Sequence, residues 1–185
     1  MKTARSSGEL RTYRGIGSMR TVALLTSAFG CLLAALFAVP AVASAGAARL
    51  DQRERAMIRN INHERGRYGL APVRGMKALN RAADHHSWEM LDANYFAHES
   101  RNGGSFDARI HRYVRPHALG ETLAMLGGDC GRGSARRIVS MWMHSAGHRA
   151  ILLSSRYRRI GLAKREGSLG STHACVVTAD FASKH

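Results

Sequence analysis

Between Leu50 and Tyr68 the apolar side chains recur at helical spacing. Ala56, Met57, Ile61 and Tyr68 mark one face, and Arg53, Glu54, Arg59, Glu64 and Arg65 the other. Gly69 ends this predicted helix, and Pro72 lies in the loop beyond it. A second helical pattern runs from Met76 to Asn94, with Leu79, Ala83, His86, Met90 and Ala93 three and four residues apart. It also carries Asp84, His85 and Glu89. His85 and Glu89 are four residues apart and face one way, but no third ligand lies nearby in sequence, so a solvated polar face is expected there rather than a metal pair. Ser105 is a candidate cap for a short helix from Phe106 to Tyr113.

Ala118 to Leu126 is apolar except for Glu121 and Thr122, and a carboxylate buried in such a run must be paired or hydrogen-bonded. Ser134 is expected to cap a further helix in which Ile138, Met141 and Trp142 share a face. Gly147 is expected to stop that helix with a sharp turn and so present His148 at its end. After this the period changes from helical to alternating. Arg158 to Lys164 reads as a strand, Glu166 to Gly170 as a turn, and His173 to Phe181 as a second strand. Helices first and a hairpin last predict an α+β layered fold.

The first 45 residues read differently. Lys2, Arg5, Arg11, Arg14 and Arg20 precede an almost wholly apolar run from Val22 to Val39, and small residues follow as Ala41-Val42-Ala43 and Ala43-Ser44-Ala45. This is the tripartite pattern of a secretory signal peptide, so residues 1–45 are expected to be a leader and 46–185 one mature domain. An uncleaved membrane anchor is the alternative, and Met19 is an alternative start. Cys31 does not lie in a lipoprotein setting. The expected location is secreted or extracellular.

The whole chain carries +15. Removing the leader, with its five basic residues and one acidic residue, leaves +11. The arginines are scattered, with neither a dense tract nor interleaved aromatics, so no nucleic-acid partner is expected. Contact with an anionic membrane or cell-wall surface fits an exported chain of this charge better. Cys130 and Cys175 remain after processing, and an even count in an exported chain points to a disulfide. Such a bridge is worth up to roughly 4 kcal/mol on a chain-entropy basis.

His98, Glu121 and His148 share a setting, each embedded between apolar segments beside a loop or a glycine. Two neutral imidazoles and a carboxylate are a donor set for zinc or another divalent metal. No His-Glu-x-x-His, Gly-x-Ser-x-Gly or phosphate-loop motif occurs, and no catalytic residue is assigned.

One ordered set of short motifs resembles the bacterial branch of the CAP superfamily, which contains cysteine-rich secretory proteins, antigen 5 and plant pathogenesis-related proteins. The set is Ile61-Asn62, Arg65, Gly69 to Val73, Tyr95-Phe96-Ala97-His98, Arg109-Ile110, Gly120-Glu121, Trp142 to Arg149 and Arg159-Ile160-Gly161. The resemblance covers about Met57 to Phe181. It implies an α-β-α sandwich with a central cleft carrying two histidines and two glutamates. His98, Glu121 and His148 match three of those positions. Ser145 stands where eukaryotic relatives have the second glutamate, three residues after the tryptophan, and Thr122 where asparagine often follows the Gly-Glu pair.

The resemblance implies a secreted, non-enzymatic, monomeric module acting on an unidentified envelope, lipid or protein ligand. Two alternatives are a metal-dependent hydrolase with Glu121 as base, and a lipid carrier. A His-Ser145 nucleophile pair is a weaker enzymatic variant, since no orienting group or oxyanion hole is visible in the sequence.

Overall fold

The computed structural model describes residues 50–184, so the expected leader, its expected cleavage site and Cys31 lie outside the described residues. The elements are α1 (Gln52–Arg67), β1 (Arg74–Gly75), α2 (Lys77–Asp92), α3 (Phe106–Ile110), β2 (Leu119–Gly127), α4 (Ser134–His144), α5 (Ala146–Leu152), β3 (Arg159–Leu169) and β4 (Thr172–Ala182). Helices cover both faces of a sheet of order β1-β3-β4-β2, the expected α-β-α sandwich. Among the described residues no helix is long and apolar enough to cross a membrane.

β4 lies between β3 and β2, and its alternation divides the core. Cys175, Val177, Ala179 and Phe181 point toward α1 and α4, where they meet Met57, Ile61, Ile138 and Trp142. Ala174 and Val176 point the other way, toward Met90 of α2. Both faces of the strand are buried from Ala174 onward, and its polar members Thr178 and Asp180 are buried with them. β2 and β3 each pair antiparallel with it.

α2 lies directly on β3. Gly161 sits beneath the Leu79 backbone, with no room for a Cβ. Met76 N–H donates to Ile160 O at 2.9 Å, and Leu162 N–H donates to Asn80 Oδ1 at 3.1 Å. A helix docked on backbone in this way has a fixed height above the sheet. It therefore fixes the loop that follows it.

Four local expectations need correction. Arg65 is fully buried rather than solvated. Its guanidinium donates to Ala71 O, Leu152 O, Ser154 O and Tyr157 O at 2.6–3.2 Å, and so ties α1 to the end of α5. Four carbonyls around one guanidinium offset its desolvation, a satisfaction that α1's own periodicity does not reveal.

Gly147 does not end a helix. The break falls at Ser145, whose backbone is extended (φ −100°, ψ 121°), and α5 restarts at Ala146 with Gly147 and His148 inside its first turn. Ser134 is the first residue of α4 rather than its cap. Gly133 holds the cap position at φ 89°, in the left-handed region that glycine tolerates.

β3 does not turn at Glu166 but continues to Leu169, and the reversal occurs at Gly170-Ser171, where Gly170 has φ 61°. The strand continues because Gly167 packs beneath Leu91 of α2, so the apolar face persists past Lys164.

The Cys130–Cys175 disulfide is formed, with Cα atoms 5.1 Å apart, and joins the loop after β2 to β4.

Candidate functional site

Glu121 is the buried centre of the site. It lies in β2 with its carboxyl on the α2 side of the sheet, and its side chain is fully enclosed. Both oxygens are used. Oε1 accepts from His98 Nδ1 at 2.8 Å, and Oε2 accepts from Arg109 Nη2. Burial pushes the Glu121 carboxyl up, but the His98 hydrogen bond and the Arg109 charge outweigh it and hold the group below its ordinary range.

Arg109 comes from α3 and is itself buried. Its Nη1 donates to His98 O at 3.0 Å and to Ser100 Oγ at 3.2 Å. One guanidinium thus fixes both the backbone that carries His98 and the carboxylate that orients its ring. The loop is latched a second time from α2. Glu89 accepts from Tyr95 O–H at 2.7 Å, lies 3.4 Å from His86 Nδ1 and accepts weakly from Arg101 N–H at 3.3 Å. The other nitrogen of His86 faces Ala97 O at 3.0 Å. The expected solvated face is therefore right for His85, while Glu89 folds back to hold the His98 loop.

His98 has its side chain 45% exposed. Its Nδ1 is committed to Glu121, so Nε2 is the ring atom left for a ligand. The Glu121 hydrogen bond raises its pKa above the ordinary histidine value, against a smaller opposing effect of burial. His148 is half-buried, and its pKa is lowered first by burial and then by the positive charge of His98.

His148 is placed through α4 and α5. Trp142 Nε1 donates to Leu123 O at 2.8 Å, pinning α4 to β2, and Arg65 holds the far end of α5. Ser145 sits at the junction of α4 and α5, half-buried, with no side-chain capping bond. His98, Glu121 and His148 do not each place a ligand atom within 4.8 Å of the other two; among the described residues only Asp129, Glu166 and His173 meet that spacing. A groove of about 610 Å³ between α1 and α4, lined by His63, Tyr68, Met143 and Arg149 among others, contains none of the cleft residues.

Asp180 is the residue that sequence reasoning missed. It pairs directly across from Glu121 in the β2–β4 register and is fully buried. Neither of its oxygens has a donor. Burial first, and then the Glu121 charge, push its pKa well above the ordinary carboxyl value. Both effects favour the protonated form of Asp180, which carries a donor that the carboxylate lacks. Its one sequence signal is an acid at an inward position of a strand buried on both faces.

A group whose pKa is raised on folding contributes stability below its unfolded pKa, ~3.9 for Asp, and loses it as pH rises toward the folded value. Asp180→Asn keeps the shape and the donor without that loss. It is expected to raise stability by about 1–2 kcal/mol at pH 7.5, the scale of a buried polar group relieved of an unmade hydrogen bond. The gain should be smaller at pH 4.5. Urea unfolding at the two pH values measures it, and an equal or negative change at pH 7.5 would show that Asp180 is ionised in the fold.

The model of the cysteine-rich secretory protein (CAP) family matches residues 58–181. The chain belongs to this family. Within bacteria, YkwD of Bacillus subtilis is 32% identical over 110 residues, which are 59% of this chain and 41% of that protein. The membrane protein YlbC of the same organism is 33% identical over 110 residues, 59% of this chain and 30% of its own. This CAP chain thus spans less than half the length of these curated relatives.

Among solved structures, an outer surface protein of Borrelia burgdorferi superposes with a TM-score of 0.61 at 19% identity. The match covers 74% of this chain and 97% of that one, and shows the shared fold. An extracellular SCP-domain protein of Bacillus anthracis superposes with a TM-score of 0.55 at 25% identity, over 74% of this chain and 45% of that one. These relatives place the chain in the bacterial branch, as its motif order implies.

Proposed function

We propose that this CAP domain is exported and acts as a non-enzymatic binding module, with a divalent ion held in its cleft by His98 and His148. The observation that carries this reading is the saturation of Glu121. A general base must reach a water molecule, yet both Glu121 oxygens are engaged and the carboxylate is fully enclosed. What the carboxylate can do is orient His98, presenting Nε2 outward in the manner of a carboxylate–histidine–metal arrangement.

The donor set fits such an ion. Two imidazoles suit zinc or a similar cation, His148 favours its neutral form, and the serine at 145 adds no charge. A bound ion would supply a Lewis-acidic anchor for an anionic or carbonyl ligand. The positive charge of the chain supports an anionic surface of the envelope as its setting. With an intact leader the domain reaches that setting by export.

Calorimetry with zinc tests the ion. Binding is expected at neutral pH and should weaken strongly in His98→Ala and in His148→Ala. Glu121→Gln should weaken it less, by about 10–100-fold as for an orienting partner. Ser145→Glu should tighten it where the cavity admits the longer chain. A proton competes with the metal, and the His98 pKa is raised, so affinity should begin to fall at a pH above the ordinary ~6.5. Burial lowers the His148 pKa, which favours its neutral form in that window. Co-sedimentation with isolated envelope fragments tests the role. Chelator and His98→Ala should both lower the bound fraction, and equal binding in all conditions would exclude the cleft as the binding element.

A further inference from the structure

Outside the cleft, three metal-ligating side chains converge where the loop after β2 meets the β3–β4 hairpin. Asp129, Glu166 and His173 each offer a ligand atom within 4.8 Å of the other two. They come from three segments, and the register explains how they meet. Glu166 pairs with Cys175 and Ser168 with His173, so Glu166 and His173 lie diagonally on one face of the hairpin. The disulfide from Cys175 to Cys130 then draws Asp129 over that face.

The loop is fastened there independently of any ion. Gly128 N–H donates to His173 O at 2.7 Å, and Cys130 N–H donates to Glu166 Oε1 at 2.9 Å. The second of these bonds sets the direction of the Glu166 carboxylate. His173 Nε2 lies 2.8 Å from Asp129 Oδ1. All three side chains are exposed, so the site is open to solvent and none is needed for packing.

We propose that Asp129, Glu166 and His173 form a divalent-cation site distinct from the cleft, taking a zinc-class ion through one imidazole nitrogen and two carboxylate oxygens. That mixed donor set selects a borderline ion over calcium or magnesium, which take oxygen ligands throughout. Three protein ligands leave room for water or for a ligand atom from a partner. The ion replaces the His173–Asp129 hydrogen bond, which as an exposed pair is worth little by itself. Because the ligands straddle Cys130 and Cys175, a bound ion clamps the two strands of chain that the disulfide joins. The site therefore couples metal occupancy to the resistance of that disulfide to reduction.

The test uses the full chain carrying His98→Ala and His148→Ala, which silences the cleft, alongside the wild type. Zinc is titrated against a chromophoric chelator. One ion is expected to bind the cleft-silenced chain, and adding His173→Gln should weaken it by about tenfold or more, since losing a ligand costs at least as much as losing an orienting partner. Glu166→Gln should weaken it in the same direction.

The second readout is the rate at which a thiol reductant opens Cys130–Cys175. Zinc should slow it several-fold in the wild type and leave it unchanged in His173→Gln, a substitution at an exposed position. Absence of zinc binding in the cleft-silenced chain, or an affinity and a reduction rate that ignore His173→Gln, would overturn the proposal. Failure of the cleft titration with success here would separate this site from the cleft reading.

Discussion

Arg109→Met is expected to destabilise the protein by about 3–5 kcal/mol, the range for removing one partner of a buried ion pair. Arg109 is 1% exposed, and its guanidinium meets Glu121 Oε2, His98 O and Ser100 Oγ. Methionine fills much of the volume but leaves the Glu121 charge without its cation. It also leaves that charge facing Asp180, whose own ionisation is already disfavoured by Glu121. Part of the loss should be recovered by a second change, Glu121→Gln, because the orphaned charge is then gone. The double variant should therefore lose less than the sum of the single losses.

A readout specific to positioning accompanies the stability change. Arg109 holds the His98 carbonyl, so at temperatures where Arg109→Met stays folded its zinc affinity should fall, although Arg109 touches no ion. Urea unfolding of the three variants and a zinc titration of the folded single variant provide the check. A loss below about 1 kcal/mol, as for an exposed ion pair, would mean that water reaches Glu121.

Gly161→Ala is expected to cost about 3 kcal/mol or more, at the top of the range for overpacking. A Cβ on Gly161 would fall within the van der Waals envelope of the Leu79 carbonyl carbon, its oxygen and its Cβ. Two of these three atoms are backbone, so no rotamer change relieves the clash. α2 would have to rise off β3, against the Met76–Ile160 and Asn80–Leu162 hydrogen bonds that hold it down.

The same helix carries His86 and Glu89, which latch the His98 loop. Lifting it should therefore loosen the cleft as well as the fold. Gly127→Ala is the control, because nothing lies within 4 Å of its added Cβ and the position is exposed. It should change stability by no more than about 0.5 kcal/mol. Denaturant midpoints for the pair decide the matter, and equal midpoints would show that α2 is free to shift.

Much of the architecture was legible from local pattern. The period of 3.6 marked α1, α2 and α4, because each buries one stripe against the sheet, and the change to a period of 2 marked the terminal hairpin. Cys130 and Cys175, the two cysteines beyond the expected leader, marked the bridge that is formed. The order of motifs marked the CAP family, and with it His98, Glu121 and His148 as residues to watch. What local pattern could not show was which polar groups are satisfied, since satisfaction depends on partners distant in sequence. Arg65 reads as a surface residue on its own helix and proves to be buried by four carbonyls from other segments.

The contacts within the cleft were likewise decided by tertiary structure. Glu121 appears in sequence as a third metal donor beside two histidines. In the fold its oxygens are taken by His98 and Arg109, and the β2–β4 register sets Asp180 opposite it. On the proposed reading, a carboxylate so enclosed orients an imidazole instead of facing a ligand.

The Asp129, Glu166 and His173 cluster shows the same division. Its members are separated in sequence by a helix pair and a turn, and only strand register together with the disulfide brings them together. Residue type and periodicity determined by themselves which segments are buried and what chemistry each side chain carries. Which side chains meet, and which of their atoms remain free, was decided by register, docking height and cross-links, because hydrogen bonds and charges act over a few ångströms that the linear chain does not record.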